Sequence, residues 1–198
     1  MKWVGITGSI GTGKTTVSNL IRGLGYQVLD ADLIAKEELQ KNSQGYQQIV
    51  KQWGSSVLDV HEEIDKKKMA QMVFNQAEQL RILEAIIHPL VQKKVQQIKK
   101  ESELRGDLIL FYDVPLLYEK KLQDQFDEVI LVVTSPSTQF ERIKKRNQWS
   151  DEEIRNRLKA QMSLEAKAKY KNIVIDNDEG LPELESKIKE TIRLILDQ

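Results

Sequence analysis

Gly8-Ser9-Ile10-Gly11-Thr12-Gly13-Lys14-Thr15 is the stretch on which the reading of this chain turns. It satisfies G-x-x-x-x-G-K-[ST] without a mismatch, between an apolar run, Lys2–Thr7, and a segment with helical spacing, about Lys14 to Leu24. At average glycine usage the pattern arises by chance in fewer than about one in a hundred chains of this length, so an ordinary flexible turn is set aside. Glycines let successive N–H groups turn inward around a β-phosphate, and those amides form an anion nest with the start of the next helix. Lys14 reaches the β/γ oxygens and the Thr15 hydroxyl ligates Mg²⁺. Gly11, Thr12, Gly13, Lys14, Thr15 and Thr16 are therefore the expected nucleotide-binding residues, with ATP and Mg²⁺ as the ligands.

Outward from that loop, Tyr26–Leu29 reads as a short second strand ending at Asp30. From about Ala31 to Glu103 the chain is rich in Gln, Lys and Glu. Ile82, Leu83, Ile86, Ile87, Leu90, Val91, Val95 and Ile98 form one stripe at helical spacing there, interrupted by His88-Pro89. Two helices or one kinked helix are expected. Leu108–Tyr112, Val129–Val133 and Ile173–Ile175 return as continuous apolar runs, the pattern of buried parallel strands. Ser135-Pro136 caps a helix with proline at its first position, and Ser150-Asp151-Glu152-Glu153 is a capping box. A last helix from near Pro182 buries Leu184, Ile188, Ile192 and Ile195. Strands alternating with helices give an α/β fold, a parallel sheet flanked by helices. The expected organisation is a single domain. Its core covers about 1–30, 106–135 and 172–198, with a helical insertion over about 31–105 and a helical lid over about 136–171.

The 198 residues carry 30 Lys plus Arg against 30 Asp plus Glu, so the basic surplus typical of nucleic-acid binders is missing and a nucleic-acid partner is not expected. Cysteine is absent, which excludes disulfides, thiolate catalysis and cysteine-rich zinc sites. His61 and His88 are too few for a histidine-rich metal site. The opening MKWVGITGSIG is too briefly apolar for a signal peptide, and the longest apolar runs fall far short of the roughly 20 residues that span a bilayer. A cytoplasmic protein without a membrane partner is expected.

Asn-Lys-x-Asp, the guanine-reading sequence, does not occur. Asp30-Ala31-Asp32 sits at the C-terminal edge of strand two, where ligands of open α/β sheets lie. Either aspartate can cap the next helix; at least one is expected to orient an acceptor hydroxyl and take its proton. Between Gln139 and Lys171 basic residues outnumber acidic ones. Arg142 and Arg146 lie four apart, as do Arg157 and Gln161, so each pair is expected to share a helix face. The lysines there read as a solvated surface; the arginines read as charge neutralisers over a transferring phosphoryl group. Asp113, just after a strand, stands where a Walker B-like aspartate reaches Mg²⁺, and equally where a turn residue ends a strand.

These residues together resemble the dephospho-coenzyme A kinase family, whose fold is that of the P-loop NTPases. The resemblance covers essentially the whole chain. It is carried by Val4 to Thr16, Leu29-Asp-Ala-Asp32, His88-Pro-Leu-Val91, Val114-Pro-Leu-Leu-Tyr-Glu119, Gln139 to Arg146, Arg157 to Met162 and Val174-Ile-Asp-Asn177. It implies ATP-dependent phosphorylation of the ribose 3′-hydroxyl of dephospho-coenzyme A, the last step of coenzyme A synthesis. Asp32 then matches the catalytic base, with Lys14, Arg142 and Arg146 near the phosphates. His88, Arg157 and Gln161 fall with Asp32 on the acceptor side, although a histidine packed at a helix break accounts for His88 as well. Thr15, from the loop motif, and Asp113, where a turn residue is an equally good reading, are the candidate metal positions. The chain departs from the family after the lid. Gln161-Met162-Ser163 and Tyr170-Lys171-Asn172 stand where the family has Gln-Met-Pro and Arg-Ala-Asp.

Overall fold

The computed structural model describes residues 1–74 and 76–197, with Phe74 described by its backbone alone. In chain order the elements are β1 (Lys2–Gly8), α1 (Lys14–Gly23), β2 (Val28–Asp30), α2 (Ala31–Glu37), α3 (Gln44–Trp53), α4 (Lys66–Phe74) and α5 (Ala77–Arg105). They continue with β3 (Ile109–Asp113), β4 (Glu128–Val133), α6 (Pro136–Asn147), α7 (Asp151–Lys159), α8 (Leu164–Lys167), β5 (Ile173–Asp176) and α9 (Leu181–Leu196). The chain divides into two compact units, Met1–Leu29 with Arg105–Gln198, and Asp30–Leu104.

The first unit is built on a five-stranded sheet in the order β2-β3-β1-β4-β5. β1 pairs in parallel with β3 and β4, and β4 with β5. Alternation along β1 sends Val4 and Ile6 to one face. There they pack with Phe111, Ile130, Val132 and Ile175 against Val17 and Ile21 of α1 and Leu184, Ile188, Ile192 and Ile195 of α9. Trp3 points the other way and stacks on Tyr112 and Phe126, at ring-centroid distances of 5.4 and 5.5 Å. Leu117, Tyr118 and Val129 close that second face. Burial on both faces explains why the central strands read as unbroken apolar runs.

Ser135 caps α6 with Pro136 inside its first turn, and Ser150 and Glu153 form the expected capping box on α7. The second strand begins later than Tyr26. The Gly25 and Tyr26 N–H groups donate back to Arg22 and Ile21 as the end of α1 unwinds, so these residues finish the helix before the strand starts.

In the second unit Ile34, Ile49, Val57, Ile64, Met69, Ile87, Val91 and Val95 are buried, and the Trp53 indole N–H donates to Gln79 Oε1 at 2.7 Å, tying α3 to α5. His88-Pro89 does not divide α5 into two helices. Pro89 lies inside one 29-residue helix, where its missing N–H leaves the Ala85 carbonyl without its intrahelical donor. The buried stripe of Ile87, Val91 and Val95 continues across it.

Candidate active site

β1 is central in the sheet and ends at Gly8, so the loop that follows emerges at the C-terminal edge of the strands, where parallel sheets place their ligands. The loop folds back on itself: the Thr12 N–H and hydroxyl both donate to the Ser9 carbonyl, at 3.3 and 2.9 Å. Gly11 and Gly13 take φ of +82° and +86°, values at which an L side chain is strained. At Gly13 the space is closed as well, since a Cβ would collide with Asn177 Nδ2. No side chain caps the first turn of α1, and that turn holds no acidic residue. The Thr16 and Val17 N–H groups donate to the Gly13 carbonyl, so the first two N–H groups of the helix, those of Lys14 and Thr15, and the positive end of its dipole are left for an anion.

Three carboxamides hold the outer side of this loop. Gln139 Nε2 donates to the Ile10 carbonyl at 2.7 Å. Gln161 Oε1 accepts from the Ile10 N–H at 3.0 Å and the Ser9 hydroxyl at 2.8 Å. Asn177 Nδ2 donates to the Thr12 carbonyl at 2.8 Å. The loop's outward backbone groups are thereby satisfied by protein, and its shape is set in advance. Sequence reasoning missed Gln139 and Asn177 as loop partners. Their only signal was an uncharged amide at the start of a helix and at the end of a strand. Gln161 does not share a helix face with Arg157. α7 ends at Lys159 with Ala160 as its C-cap, and Gln161 comes off the helix to reach the loop.

The Lys14 ammonium pairs with the Asp113 carboxylate, which also accepts from the Ser18 hydroxyl at 2.7 Å. Asp113 is buried at 3% exposure, so it is not a solvent-facing turn residue; β3 brings it beside Ile6 of β1. Arg142 Nη1 is buried and has no hydrogen-bond partner among the described residues. It lies 3.6 Å from where a Gly13 Cβ would stand, so an unpaired cationic donor is aimed at the loop. Arg146, one turn later on α6, is exposed and donates from Nε to Asn147 Oδ1 at 3.0 Å. The Arg157 guanidinium lies over the Trp149 ring, 4.0 Å from its centroid.

In the second unit the two aspartates separate by role. Asp30 caps α2, its Oδ1 accepting from the Leu33 N–H at 3.0 Å. Asp32, in the first turn of α2, is exposed and has no hydrogen bond or ion pair among the described residues. His88 is exposed on α5.

Mg²⁺ takes hard oxygen donors and is commonly held by one or two carboxylates together with substrate phosphates. The buried Asp113 carboxylate and the Thr15 hydroxyl at the start of α1 fit that donor set, and the described residues hold no cluster of three or more His, Cys, Asp or Glu that would make a self-sufficient cage.

The family model for dephospho-CoA kinase matches residues 2–183. The chain belongs to the dephospho-CoA kinase family. It is 41% identical over 175 residues to the dephospho-CoA kinase of Bacillus cereus, covering 88% of each chain. It is 38% identical over 178 residues to that of Bdellovibrio bacteriovorus, covering 90% of this chain and 88% of the relative. The solved dephospho-CoA kinase from Campylobacter jejuni superposes with a TM-score of 0.74 at 26% identity, covering 98% of this chain and 97% of that one. Where the chain departs from the dephospho-CoA kinase pattern, its substitutes are used for packing. Tyr170 stacks on Tyr118 at 4.4 Å, and the Tyr118 hydroxyl donates to Asn172 Oδ1. Burial pushes the Tyr118 phenol up to about 12, against the opposing pull of that hydrogen bond. No helix of the described residues is long and apolar enough to cross a membrane.

Proposed function

We propose that this chain transfers the γ-phosphoryl group of ATP to the ribose 3′-hydroxyl of dephospho-CoA, giving CoA and ADP in the last step of coenzyme A synthesis, as a cytoplasmic enzyme acting on small molecules. The observation that carries this reading is the buried Arg142 Nη1, unpaired among the described residues, beside an uncapped helix start and the Lys14–Asp113 pair. A cluster of that kind stabilises charge only when a polyanion occupies the loop.

The loop from Gly11 to Thr16 binds the triphosphate tail through the amides it does not spend on itself, and Lys14 and Arg142 neutralise the charge that spreads over the equatorial oxygens in transit. Arg146, on the same helix, adds to that field. Asp32 orients the acceptor alcohol and takes its proton as the alcohol oxygen bonds to the γ-phosphorus, while the bond from that phosphorus to the bridging oxygen of ADP breaks. Asp32, which the Asp30 cap leaves free for this work, acts on the acceptor side with His88 and Arg157. Gln161 serves the acceptor's phosphoryl partner by holding Ser9 and Ile10. Thr15 and Asp113 are the residues that would hold Mg²⁺, whose charge offsets that of the phosphate oxygens. Water exclusion by the arginine-bearing segment favours transfer over hydrolysis.

The test is ADP release from ATP and Mg²⁺ with a panel of acceptors, dephospho-CoA and nucleoside monophosphates among them. Release that depends on dephospho-CoA and is lost in Lys14→Ala is expected. Release driven equally well by a nucleoside monophosphate, or none above the Lys14→Ala background, overturns the proposal.

A further inference from the structure

One ion pair, fully buried at its lysine and 20% exposed at its glutamate side chain, stands apart from the residues that face the phosphate loop. Lys167, at the end of α8, is fully buried at 0% exposure, and its ammonium lies 3.1 Å from Glu119 Oε1. The lysines of this segment were expected on a solvated surface, and Lys167 is the opposite. Neither Lys167 Nζ nor Glu119 Oε2 has a hydrogen-bond partner among the described residues. Taking a lysine charge fully out of water carries a desolvation cost that one ion pair offsets only in part, and well-packed apolar replacements are often as stable. Stability alone is therefore a poor account of this pair.

What the pair holds is the backbone next to the loop. The Glu119 oxygen that faces Lys167 also accepts the Met162 N–H at 2.9 Å. The residue before Met162 is Gln161, whose Oε1 receives the Ser9 hydroxyl and the Ile10 N–H. From the other side, the Lys167 carbonyl accepts from Asn172 Nδ2 at 2.8 Å, and Asn172 Oδ1 receives the hydroxyl of Tyr118, the neighbour of Glu119. Segment 113–119 thus meets the loop twice. Asp113 reaches Lys14 directly, and Glu119 reaches Ser9 and Ile10 through Met162 and Gln161.

We propose that Glu119 and Lys167 are positioning residues for phosphoryl transfer: their ion pair fixes the turn at 161–162 so that the Gln161 carboxamide holds Ser9 and Ile10 in place. This role rests on the kinase reading above. Misplacing a reacting group by about 1 Å can cost on the order of a hundredfold in rate, so loosening the turn acts on turnover without removing any group that touches substrate.

The experiment is a double-mutant cycle on kcat/KM for dephospho-CoA-dependent ADP release, using Glu119→Ala, Gln161→Ala and the double variant. The urea unfolding midpoint of each is measured in parallel. Each single variant is expected to lose about tenfold or more, and the double variant to lose no more than the worse single, because both act through one contact. Losses that multiply, or a shifted midpoint with unchanged kcat/KM per folded molecule, overturn the proposal. Should Glu119→Ala not fold, Lys167→Met takes its place in the cycle and is read by the same criterion. Wild-type protein is the control for the underlying reading. Its failure to turn over removes both proposals, whereas active wild type with multiplying losses removes only the positioning role.

Discussion

Replacing Asn177 with aspartate changes one donor into an acceptor at nearly constant volume, at the point where the loop is most tightly enclosed. Asn177 is 5% exposed, and its Nδ2 gives the buried Thr12 carbonyl its hydrogen bond at 2.8 Å. In Asn177→Asp that carbonyl faces a carboxylate oxygen. An unsatisfied buried acceptor costs about 1–3 kcal/mol, which is about 5- to 150-fold in an equilibrium constant. The cost falls on the loop conformation that the nucleotide requires, so apparent ATP affinity drops by the fraction of molecules that leave it. The substituted charge also lies beside Gly13 and the uncapped start of α1, where it competes with the nucleotide for the same positive field. Asn177→Leu supplies the comparison, since it loses the donor without adding charge. Isothermal titration with ATP is the assay. Asn177→Asp is expected to bind at least about fivefold more weakly than wild type, and more weakly than Asn177→Leu. Wild-type affinity in Asn177→Asp would refute the idea that this carboxamide holds the loop in its binding shape.

Arg142→Met removes the guanidinium whose Nη1 is buried without a partner among the described residues, and steady-state kinetics should show kcat down by about 10²–10³-fold with a smaller change in ATP KM; an unchanged kcat would mean that Arg142 plays no part in the transition state. Asp32→Asn should bind ATP normally by titration yet turn over about 10²–10⁴-fold more slowly, and a loss of only a few-fold would leave Asp32 as a surface residue of α2. Asp178 is held below the usual carboxylate range, first by the Thr134 hydroxyl and then by the Ser135 N–H and neighbouring hydroxyls. A depressed folded-state pKa gives stability that is present above the unfolded value and lost as pH falls through the folded one. Thermal melts of wild type should therefore fall as pH drops below about 4, and Asp178→Asn should show less of that fall; identical pH profiles would contradict the assignment.

The parts of this fold written in local chemistry could be read from the sequence. β1, the glycine loop and α1 each follow from a short run of neighbouring residues, and Ser135-Pro136 and Ser150 to Glu153 mark helix starts through bonds spanning three residues. α9 was legible because its buried positions repeat at helical spacing on one face. Tyr26 misled because an apolar aromatic suits a strand as well as the unwinding end of a helix. Pro89 left two helices and one kinked helix equally open, and only the fold decides for one, because a long helix with a buried stripe on both sides absorbs one missing hydrogen bond. The site divides in the same way. Lys14 and Thr15 announce themselves by motif. Gln139, Gln161 and Asn177 act across 129, 151 and 165 residues of chain, and nothing near them in sequence specifies an amide. Lys167 looks like any lysine of a charged helix until the fold closes Glu119 over it.

The most direct measurement follows the label from ATP carrying an isotopic tag on its γ-phosphate, with dephospho-CoA and Mg²⁺ present, and locates it in the product by phosphorus NMR. The label is expected on the ribose 3′-oxygen of CoA, and nowhere in that product when Lys14→Ala replaces the wild type. Label recovered only as inorganic phosphate, or on any other acceptor atom, would contradict the account.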